Sequence, residues 1–439
     1  MTNDNDIVKP SILPGFMELL PSEQILFNKM LDTIRYNYEK FGFLPIDTPV
    51  IERAEILLAK GGGETEKQIY RFKKGDTDLA LRFDLTVPLA RYVAQHFSEL
   101  TFPFKRYHIG KVYRGEKAQR GRFREFYQCD IDIIGNEKLD IINDAEIPSI
   151  IYSTFKDLGF KSFTIKINNR KILKGFFKHL KILDSTEILR TIDKLEKIGL
   201  NKVEEELKEQ GLEKEIIREI LEFIQISGTN EEKLKKLNSL EIENDIFKEG
   251  LNELKTVNYY VKAFGVPEEN YMIDLTIVRG LDYYTGTVYE TFLDDYPNIG
   301  SICSGGRYDN LAEYYTKQKL PGVGISIGLT RLFYQLNEAN LIKFEDSSLT
   351  KVLVIPMKGY LDQAIKIANL LRDEDINTQI YLEKGKVGKK FSYADKLGIP
   401  YTLIIGEEEI KQERYSLRNM ETGKQEMLSI EELLLFLNK

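Results

Sequence analysis

The sequence has 439 residues, of which 42% are hydrophobic and 30% charged, and its formal net charge is −7. The length fits two to four domains, and the negative charge excludes a basic nucleic-acid coat, so contacts with nucleic acid would need local clusters of Lys and Arg. The 2 cysteines and 3 histidines show no ligand spacing. With no membrane-length apolar run and no signal pattern, we expect a cytoplasmic chain without membrane contact, disulfide framework or bound structural metal.

The N-terminal part predicts a helix followed by an extended segment. Apolar residues recur at helical spacing through residues 21–38, and prolines interrupt the stretch FGFLPIDTPVIE that follows. The glycines of residues 60–65 lack the order of a phosphate-binding P-loop, so we interpret this segment as a mobile loop over a pocket.

Residues 79–93, LALRFDLTVPLARYV, predict a strand that passes into a helix at Pro88. Alternation places Arg82, Asp84 and Thr86 on one face of the strand. A carboxylate beside a hydroxyl can hold an ammonium group through charge-assisted hydrogen bonds. A single Asp in such a position is more often a helix cap or a surface residue, so both interpretations stay open.

We expect residues 104–135 to organise the chain, as two strands joined by a basic turn. The turn region contains Arg114, Glu116 and Arg122, and guanidinium groups match phosphate oxygens bidentately. The residues that share one face of the second strand are Phe126, Gln128, Asp130 and Asp132. An acidic face backed by an apolar one predicts a bound ligand. The alternative is a surface hairpin with solvated charges.

The amino-acid composition of the chain changes at about residue 171. Between residues 171 and 256 Lys and Glu dominate, apolar residues recur at helical spacing, and proline is absent. These features predict an inserted helical module whose mixed charges lie on solvated faces.

Three segments after this module predict further parts of a ligand site. Residues 271–292 predict two strands joined by a tight turn at RGLDYY, which can aim Arg279 and Tyr284 into one cavity. An aromatic hairpin that only packs a core would leave this Arg unexplained. Residues 303–309, CSGGRYD, predict a glycine-rich connection with Tyr308 near the same cavity. Residues 322–332 predict a strand of small residues that enters a helix at Arg331.

The last part of the chain predicts a separate domain after the polar linker 343–350. Its alternating strands and helices indicate a small three-layer α/β domain. Lysines cluster at one strand–helix junction, at Lys384, Lys386, Lys389 and Lys390. This cluster is either a nucleic-acid contact or a solvated helix start.

Together these segments resemble the histidyl-tRNA synthetases, a family of class II aminoacyl-tRNA synthetases. Residues 114–128, RGEKAQRGRFREFYQ, resemble motif 2, RGLDYY is similar to the signature peptide of the family, and GVGISIGLTRL at 322–332 resembles motif 3. Residues 21–52 resemble motif 1, which forms the dimer interface in this class. Asp84 stands where many bacterial relatives have Glu, and Thr330 stands where the family usually has an acidic residue.

The resemblance covers nearly the whole chain and implies its architecture. The implied fold is an α+β catalytic domain with an antiparallel sheet, a helical insertion, and a C-terminal α/β domain similar to anticodon-binding domains. We expect the catalytic domain at 1–170 and 257–342, the insertion at 171–256, and the C-terminal domain at 351–439. A homodimer is implied through motif 1.

The resemblance also implies the activity. The chain would activate L-histidine with ATP to histidyl-adenylate, release pyrophosphate, and transfer histidine to the 3′-terminal adenosine of tRNA(His), with Mg²⁺ as cofactor. The residues implied to be catalytic are Arg114 and Arg279. Those implied to bind ATP are Arg114, Glu116, Arg122, Phe126 and Arg331. Those implied to bind histidine are Asp84, Thr86, Gln128, Asp132, Arg279, Tyr283, Tyr284 and Tyr308.

Three other functions compete with this one. The first is a non-catalytic synthetase-like regulatory subunit of histidine biosynthesis, which the intact RGLDYY and the added C-terminal domain disfavour. The second is a synthetase-like binding module of a larger regulator, for which no partner domain is present. The third is a class II synthetase for another amino acid, which RGLDYY also disfavours.

Overall fold

The computed structural model describes residues 8–59, 64–117, 121–278, 284–310, 312–343 and 348–438. The chain forms two compact units, one of Met1–Met17 with Leu31–Ala339 and the other of Glu18–Met30 with Asn340–Lys439. The predicted glycine loop falls largely on residues outside the described ranges. Among the described helices none combines the length and hydropathy that would let it span a bilayer.

The described residues form 16 strands. In chain order they are β1 Leu44–Pro45, β2 Ile51–Arg53, β3 Arg71–Lys74, β4 Thr77–Leu81, β5 Phe104–Tyr113, β6 Glu125–Ile134, β7 Phe163–Asn169, β8 Tyr271–Ile273, β9 Thr287–Leu293, β10 Cys303–Tyr308, β11 Gly322–Gly328, β12 Val352–Pro356, β13 Thr378–Ile380, β14 Tyr401–Ile405, β15 Tyr415–Asn419 and β16 Gln425–Leu428.

The helices concentrate between β7 and β8. In chain order they are α1 Pro21–Lys40, α2 Ala54–Leu57, α3 Glu64–Gln68, α4 Thr86–Gln95, α5 Ile142–Asp157, α6 Arg170–His179, α7 Thr186–Ile192, α8 Leu195–Ile198, α9 Leu200–Glu209, α10 Lys214–Ile224, α11 Asn230–Ser239, α12 Asp245–Ala263, α13 Leu329–Glu338, α14 Leu361–Asp373, α15 Val387–Lys396, α16 Glu407–Gln412 and α17 Ile430–Leu437.

An eight-stranded sheet dominates the first unit, in the order β1-β5-β6-β11-β10-β9-β7-β8. β1 is parallel to β5 and β7 is parallel to β8, whereas the other neighbouring strands pair antiparallel. The strands β2, β4 and β3 form a small antiparallel sheet of their own. The predicted α+β fold with an antiparallel sheet is confirmed.

Strand β6 has the two different faces that its sequence predicts. Cys129, Ile131 and Ile133 are fully buried on one face. Helix α1 helps to cover them, because the hydroxyl of Tyr38 donates a hydrogen bond of 2.9 Å to the backbone carbonyl of Cys129. The acidic residues of the other face are also almost completely buried, and burying them without partners would be costly. This second face therefore needs polar neighbours from the adjacent strands.

The glycine-rich segment 303–309 is largely a strand, so its prediction as a connection is wrong. A Cβ atom on Gly305 would lie 2.1 Å from the carbonyl oxygen of Gly324 on β11, and one on Gly306 would lie 2.6 Å from that of Thr287 on β9. These glycines allow neighbouring backbones to approach closely inside a sheet, which sequence alone does not distinguish from a flexible loop. The lack of side chains here also leaves space above the sheet.

A buried ion pair fastens α5 to β10. The Nε atom of Arg307 donates to both carboxylate oxygens of Asp144 at 3.0 Å, and its Nη2 donates to Oδ1 at 2.7 Å. The same guanidinium donates to the carbonyls of Leu139 and Asp140. Burial raises the pKa of the Asp144 carboxyl, and the charge of Arg307 opposes that shift. Arg307 is therefore a structural residue of the GGRYD segment.

The helices between β7 and β8 pack on each other through glycines. A Cβ atom on Gly175 of α6 would lie 2.5 Å from the backbone N of Phe247, and one on Gly250 of α12 would lie 2.8 Å from that of Ile172. Helix α12 continues past residue 256 to Ala263. The domain limits given by the sequence stay a prediction.

Helix α11 satisfies the free edge of strand β8. The backbone N–H of Ile273 donates to Asn230 Oδ1 at 2.8 Å, and its carbonyl accepts from Lys233 Nζ at 2.6 Å. Burial lowers the pKa of Lys233, which is 5% exposed. Since β8 lies at the end of the sheet, these side chains replace a further strand. The helices after β7 thus help to hold the strand that leads toward RGLDYY.

The C-terminal unit has a five-stranded sheet in the order β13-β12-β14-β15-β16, with β13, β12 and β14 parallel. Its buried residues come from the strands and from α14, α15 and α17, which confirms the predicted α/β architecture. In the predicted lysine cluster Lys384, Lys386 and Lys389 are exposed. Lys390 is buried instead, and its Nζ donates to the carbonyl of Pro356 at 2.8 Å.

Breaking the buried ion pair between Arg307 and Asp144 should strongly lower the stability of the protein. We expect Arg307→Ala to lower the free energy of unfolding by about 3–5 kcal/mol, because it leaves the carboxylate of Asp144 buried without its counter-charge. The control Arg35→Ala, which breaks the exposed pair with Asp32, should cost less than about 1 kcal/mol. Urea unfolding of both variants measures this, and equal losses would show that burial adds nothing to the pair.

Candidate active site

A cavity of about 340 Å³ opens on the polar face of the large sheet. It is bounded by the turn after β5, the start of β6, strands β10 and β11, and helix α13. The residues predicted to bind ATP all line it, namely Arg114, Glu116, Arg122, Phe126 and Arg331. Gln128, predicted to bind histidine, lines it as well. Residues far apart in the sequence are thus brought together as the motifs imply.

Arg114 is held in place by aromatic rings and a carbonyl. Its guanidinium carbon lies 4.4 Å from the centre of the Phe83 ring and 5.1 Å from that of Phe126. Its Nε donates to the carbonyl of Phe83 at 3.2 Å, and its backbone N–H donates to Arg124 across the hairpin at 2.9 Å. Cation–π contacts with two rings fix the plane of the guanidinium. Arg114 is therefore oriented before a ligand binds.

The turn of the hairpin carries a weak ion pair. Arg124 Nε donates to the backbone carbonyl of Glu116 at 2.9 Å and closes the base of the turn. The carboxylate of Glu116 lies 3.5 Å from the Nη1 atom of Arg122, whose side chain is 59% exposed. An ion pair this exposed contributes little stability, so both groups can change partners when a charged ligand enters.

Helix α13 presents Arg331 from the other side of the cavity. Its Nη2 donates to the carbonyl of Ile299 at 3.1 Å, and Gln335 Nε2 donates to the same carbonyl at 2.9 Å. The preceding residue, Thr330, is 3% exposed, and its Oγ1 accepts a 2.8 Å hydrogen bond from the backbone N–H of Tyr127 on β6. Thr330 therefore fastens α13 to β6.

Two residues that are predicted to bind histidine, Asp132 and Tyr308, are in direct contact. The Tyr308 hydroxyl donates to Asp132 Oδ1 at 2.7 Å, and Arg106 Nη2 lies 2.5 Å from Asp132 Oδ2. Asp132 is 4% exposed and Arg106 is fully buried. Tyr284 belongs to the same region, because a Cβ atom on Gly306 of β10 would lie 3.0 Å from its ring. Nothing in the sequence singled out Arg106, because its place opposite Asp132 follows from the pairing of β5 with β6.

The structure corrects the prediction for Asp84 and Thr86. Strand β4 ends at Leu81 and helix α4 begins at Thr86, so these residues do not alternate along one strand face. Asp84 Oδ1 instead accepts hydrogen bonds from the backbone N–H groups of Thr86 at 3.1 Å and Val87 at 2.9 Å. A carboxylate satisfies the free N–H groups at a helix start, and this local preference ended the strand pattern.

Asp84 still belongs to the acidic end of the site. Burial raises the pKa of the Asp130 and Asp132 carboxyls, the charge of Arg106 opposes this rise, and the charge of Asp84 adds a smaller rise to both. The pKa of Asp130 rises to about 7. His108 on β5 stays neutral at physiological pH, since burial and the charges of Arg106 and Arg82 lower its pKa to about 3. The surroundings of Asp130 and Asp132 therefore favour a cationic ligand.

Arg279 and Tyr283 lie outside the described residues, so their roles stay predictions. The chain that leads to them is well anchored. The carbonyl of Ile277 accepts from Asn168 Nδ2 at 3.0 Å, and that of Val278 accepts from Arg170 Nη1 at 2.6 Å. The position at which this segment enters is therefore fixed by strand β7 and the start of α6.

Comparison with protein families agrees with this arrangement. A family model described as histidyl-tRNA synthetase matches residues 15–332, and one described as anticodon binding domain matches residues 351–439. A histidine–tRNA ligase of Clostridium tetani is 68% identical over 430 residues, with 98% of each chain covered. One of Finegoldia magna is 53% identical, with 98% of this chain and 99% of the relative covered.

Comparison with solved structures gives the same fold. The crystal structure of a histidyl-tRNA synthetase from a Nostoc species is 42% identical, has a TM-score of 0.92, and matches over 98% of this chain and 99% of that one. A Bacillus halodurans protein described as an ATP phosphoribosyltransferase regulatory subunit/histidyl-tRNA synthetase has a TM-score of 0.74 at 20% identity, with 88% of this chain and 97% of that one covered. At that identity the second match shows the fold alone.

The contact of Thr330 predicts a specific loss of stability. We expect Thr330→Val to lower the free energy of unfolding by about 1–3 kcal/mol, because Val keeps the shape but leaves the Tyr127 N–H without its acceptor. The control Thr154→Val removes a buried hydroxyl that donates to the carbonyl of Ile150 at 2.7 Å, and it leaves no N–H group unpaired. Thermal unfolding compares them, and a smaller shift for Thr330→Val would contradict the anchoring role.

Proposed function

The chain belongs to the histidyl-tRNA synthetase family, and on that premise we propose that it is a histidine–tRNA ligase. It activates L-histidine with ATP to histidyl-adenylate, releases pyrophosphate, and transfers histidine to the 3′-terminal adenosine of tRNA(His). The observation that carries this proposal is one cavity that gathers the cationic and aromatic residues of motifs 2 and 3 on the sheet face that also carries the buried carboxylates.

The turn and helix α13 form the ATP-binding side of the cavity. We assign Phe126 to stack on adenine and Glu116 to accept from its exocyclic amine. Arg122 and Arg331 bind the outer phosphates. The exposure of Arg122 and the anchoring of Arg331 by Ile299 support different tasks, the first closing on the ligand and the second holding a fixed position.

The first reaction step is limited by charge. The substrate carboxylate is already ionised at neutral pH, so its attack on the α-phosphate needs no general base. The obstacle is that an anion must approach a polyanion, and preorganised cations lower this barrier. Arg114 suits this role because two rings and a carbonyl hold its guanidinium. We assign Arg279 as the second cation at the same phosphate.

The acidic end of the site is assigned to the histidine substrate. Asp84, Thr86 and Gln128 bind the ammonium group, with the Oδ2 atom of Asp84 as the acceptor because its Oδ1 caps helix α4. The residues assigned to the rest of the amino acid are Asp132, Arg279, Tyr283, Tyr284 and Tyr308. The bond from Tyr308 to Asp132 orients the carboxylate, and a polar site rejects side chains that leave its groups unpaired.

Magnesium is assigned to the phosphates of ATP. Mg²⁺ prefers oxygen ligands and is usually held by one or two carboxylates together with substrate phosphates. Glu116, the carboxylate among the described residues that line the cavity, is assigned to adenine, and the described chain has no cluster of His, Cys, Asp or Glu that would hold a metal by itself, so the phosphates of ATP would supply the main ligands. Bound there, the ion would neutralise phosphate charge beside the arginines.

The remaining assignments concern partners and location. The C-terminal unit binds the anticodon region of tRNA(His), which the match of residues 351–439 to an anticodon binding domain supports. The exposed Lys384, Lys386 and Lys389 suit contacts with phosphates. We further propose a homodimer that forms through the segment resembling motif 1, and a cytoplasmic location.

Amino-acid-dependent exchange of pyrophosphate into ATP tests the proposal. We expect exchange with L-histidine and Mg²⁺, and none above background with other amino acids. The synthetase-like regulatory subunit is the competing function, and the fold alone does not separate the two. A protein that binds histidine but shows no exchange at saturating substrates would be that subunit, whereas exchange with a different amino acid would identify another class II synthetase.

A substitution of Asp132 should weaken the binding of histidine and leave the binding of ATP nearly unchanged. We expect Asp132→Asn to raise the Kd for histidine by about tenfold or more, because an imidazole N–H loses its charged acceptor, while the Kd for ATP changes by less than about twofold. Isothermal titration calorimetry with each ligand separately measures both values. Tyr308→Phe, which removes only the donor to Asp132, serves as the milder control. Equal losses for histidine and ATP would make Asp132 a general structural residue.

A further inference from the structure

A chain of polar side chains crosses from β6 to β11 beneath the cavity. Asp130 and Ser326 are directly opposite each other in the register of the two strands, which places the Ser326 hydroxyl beside the Asp130 carboxylate, and this hydroxyl opposes the rise in the pKa of Asp130 that burial causes. Ser326 also meets the neighbouring residue on the same face, because Gln128 Nε2 lies 2.7 Å from its Oγ. The three side chains of Gln128, Ser326 and Asp130 therefore form a continuous polar row.

The chemistry of the three groups decides which of them donates and which accepts in each hydrogen bond of this row. When Asp130 is ionised, its carboxylate can only accept hydrogen bonds, so the Ser326 hydroxyl beside it directs its single proton to Asp130. The Ser326 oxygen can then only accept from its other neighbour. The side-chain amide of Gln128 must consequently turn its NH₂ group to Ser326, whichever way the amide would otherwise be placed.

This orientation leaves one atom of Gln128 without a partner. Its Oε1 is buried and has no hydrogen-bond donor among the described residues, although the residue lines the cavity. Gln128 is only 9% exposed. A buried acceptor without a donor is unfavourable, so the site is built for a ligand that supplies an N–H group. The nearby charges of Asp84, Asp130 and Asp132 favour a cationic donor.

We propose that Asp130 and Ser326 are positioning residues that lock the amide of Gln128 so that its Oε1 accepts a hydrogen bond from the ammonium group of the substrate. They act through Gln128 and do not themselves touch the amino acid. The proposal rests on the proposed function, since Gln128 is assigned to the ammonium group there. The same row explains a feature of the strand that the sequence left unassigned, namely a second buried carboxylate beside Asp132 on one face.

Removing the hydroxyl of Ser326 tests whether the row positions the amide of Gln128. In Ser326→Ala the amide of Gln128 loses its fixed partner and can rotate, so we expect the KM for histidine in pyrophosphate exchange to rise by about tenfold, with kcat and the KM for ATP within about threefold. Asp130→Ala should act in the same direction, since the freed hydroxyl can then donate to Gln128 Oε1. Ser326→Thr keeps the hydroxyl and should restore a histidine KM close to that of the unmodified chain.

The assay is run at pH 8, where Asp130 is mostly ionised because burial raises its pKa only to about 7. Ser149→Ala is the matched control, since it removes a serine hydroxyl that donates to the carbonyl of Glu146 in helix α5 and is far from the row in sequence. Its kinetic constants should not change. Thermal unfolding confirms that each variant is folded.

A double-mutant cycle shows whether the effect passes through Gln128. In a Gln128→Ala background, Ser326→Ala should raise the histidine KM no further, because the group that it positions is already absent. Additive effects of the two substitutions would overturn the proposal, as would a normal histidine KM in Ser326→Ala or Asp130→Ala. A normal histidine KM in Gln128→Ala would overturn it as well.

A substrate analogue identifies the contacted group. Imidazolepropionate, which is histidine without its ammonium group, should inhibit the unmodified chain and Ser326→Ala equally. Weaker inhibition of Ser326→Ala would place the Gln128 oxygen on the imidazole and overturn the assignment to the ammonium group. Failure of the proposed function is distinct from all these results, because the unmodified chain would then show no histidine-dependent exchange.

Discussion

The register of β6 between β5 and β11 is the constraint on which the site depends. It places Asp132 opposite Arg106 on one side and Gly324 on the other, and Asp130 between His108 and Ser326. Because side chains alternate along a strand, a slip of one residue would turn the carboxylates into the apolar core and expose Cys129 and Ile131 to the cavity. The buried apolar face therefore also fixes the positions of the polar groups.

The two buried carboxylates are stabilised to different degrees by their neighbours. Asp132 is paired with Arg106 and accepts from Tyr308, whereas Asp130 lies opposite Ser326 and its Oδ1 has no hydrogen-bond donor among the described residues. The charge of Arg106 partly offsets the effect of burial on both acids, while His108 remains neutral beside them. Buried charges of this kind contribute little net stability, and their arrangement is explained better by ligand recognition than by folding.

The cavity combines fixed and adaptable cations. Arg114 and Arg331 are each anchored by a backbone carbonyl, so their positions are set by the fold. Arg122 has only the long contact to Glu116 and high exposure. Fixed cations suit charge that develops in the reaction, because they need no reorganisation as it proceeds, whereas an exposed cation can follow a ligand that enters.

The sequence by itself determined the hairpin β5–β6 and its two faces, because alternation acts over a few residues, and through the family resemblance it predicted Arg114, Glu116, Arg122, Phe126, Gln128 and Arg331, which line the cavity. Only the tertiary structure decided that the glycines of 303–309 form a central strand, that Asp84 caps a helix, and that Thr330 joins α13 to β6. The strand and the Thr330 contact depend on backbones and side chains far apart in the chain, whereas the cap by Asp84 is a local contact that the sequence left open beside a strand. Arg106 and Ser326 likewise gained their meaning only from strand register, which no local pattern specifies.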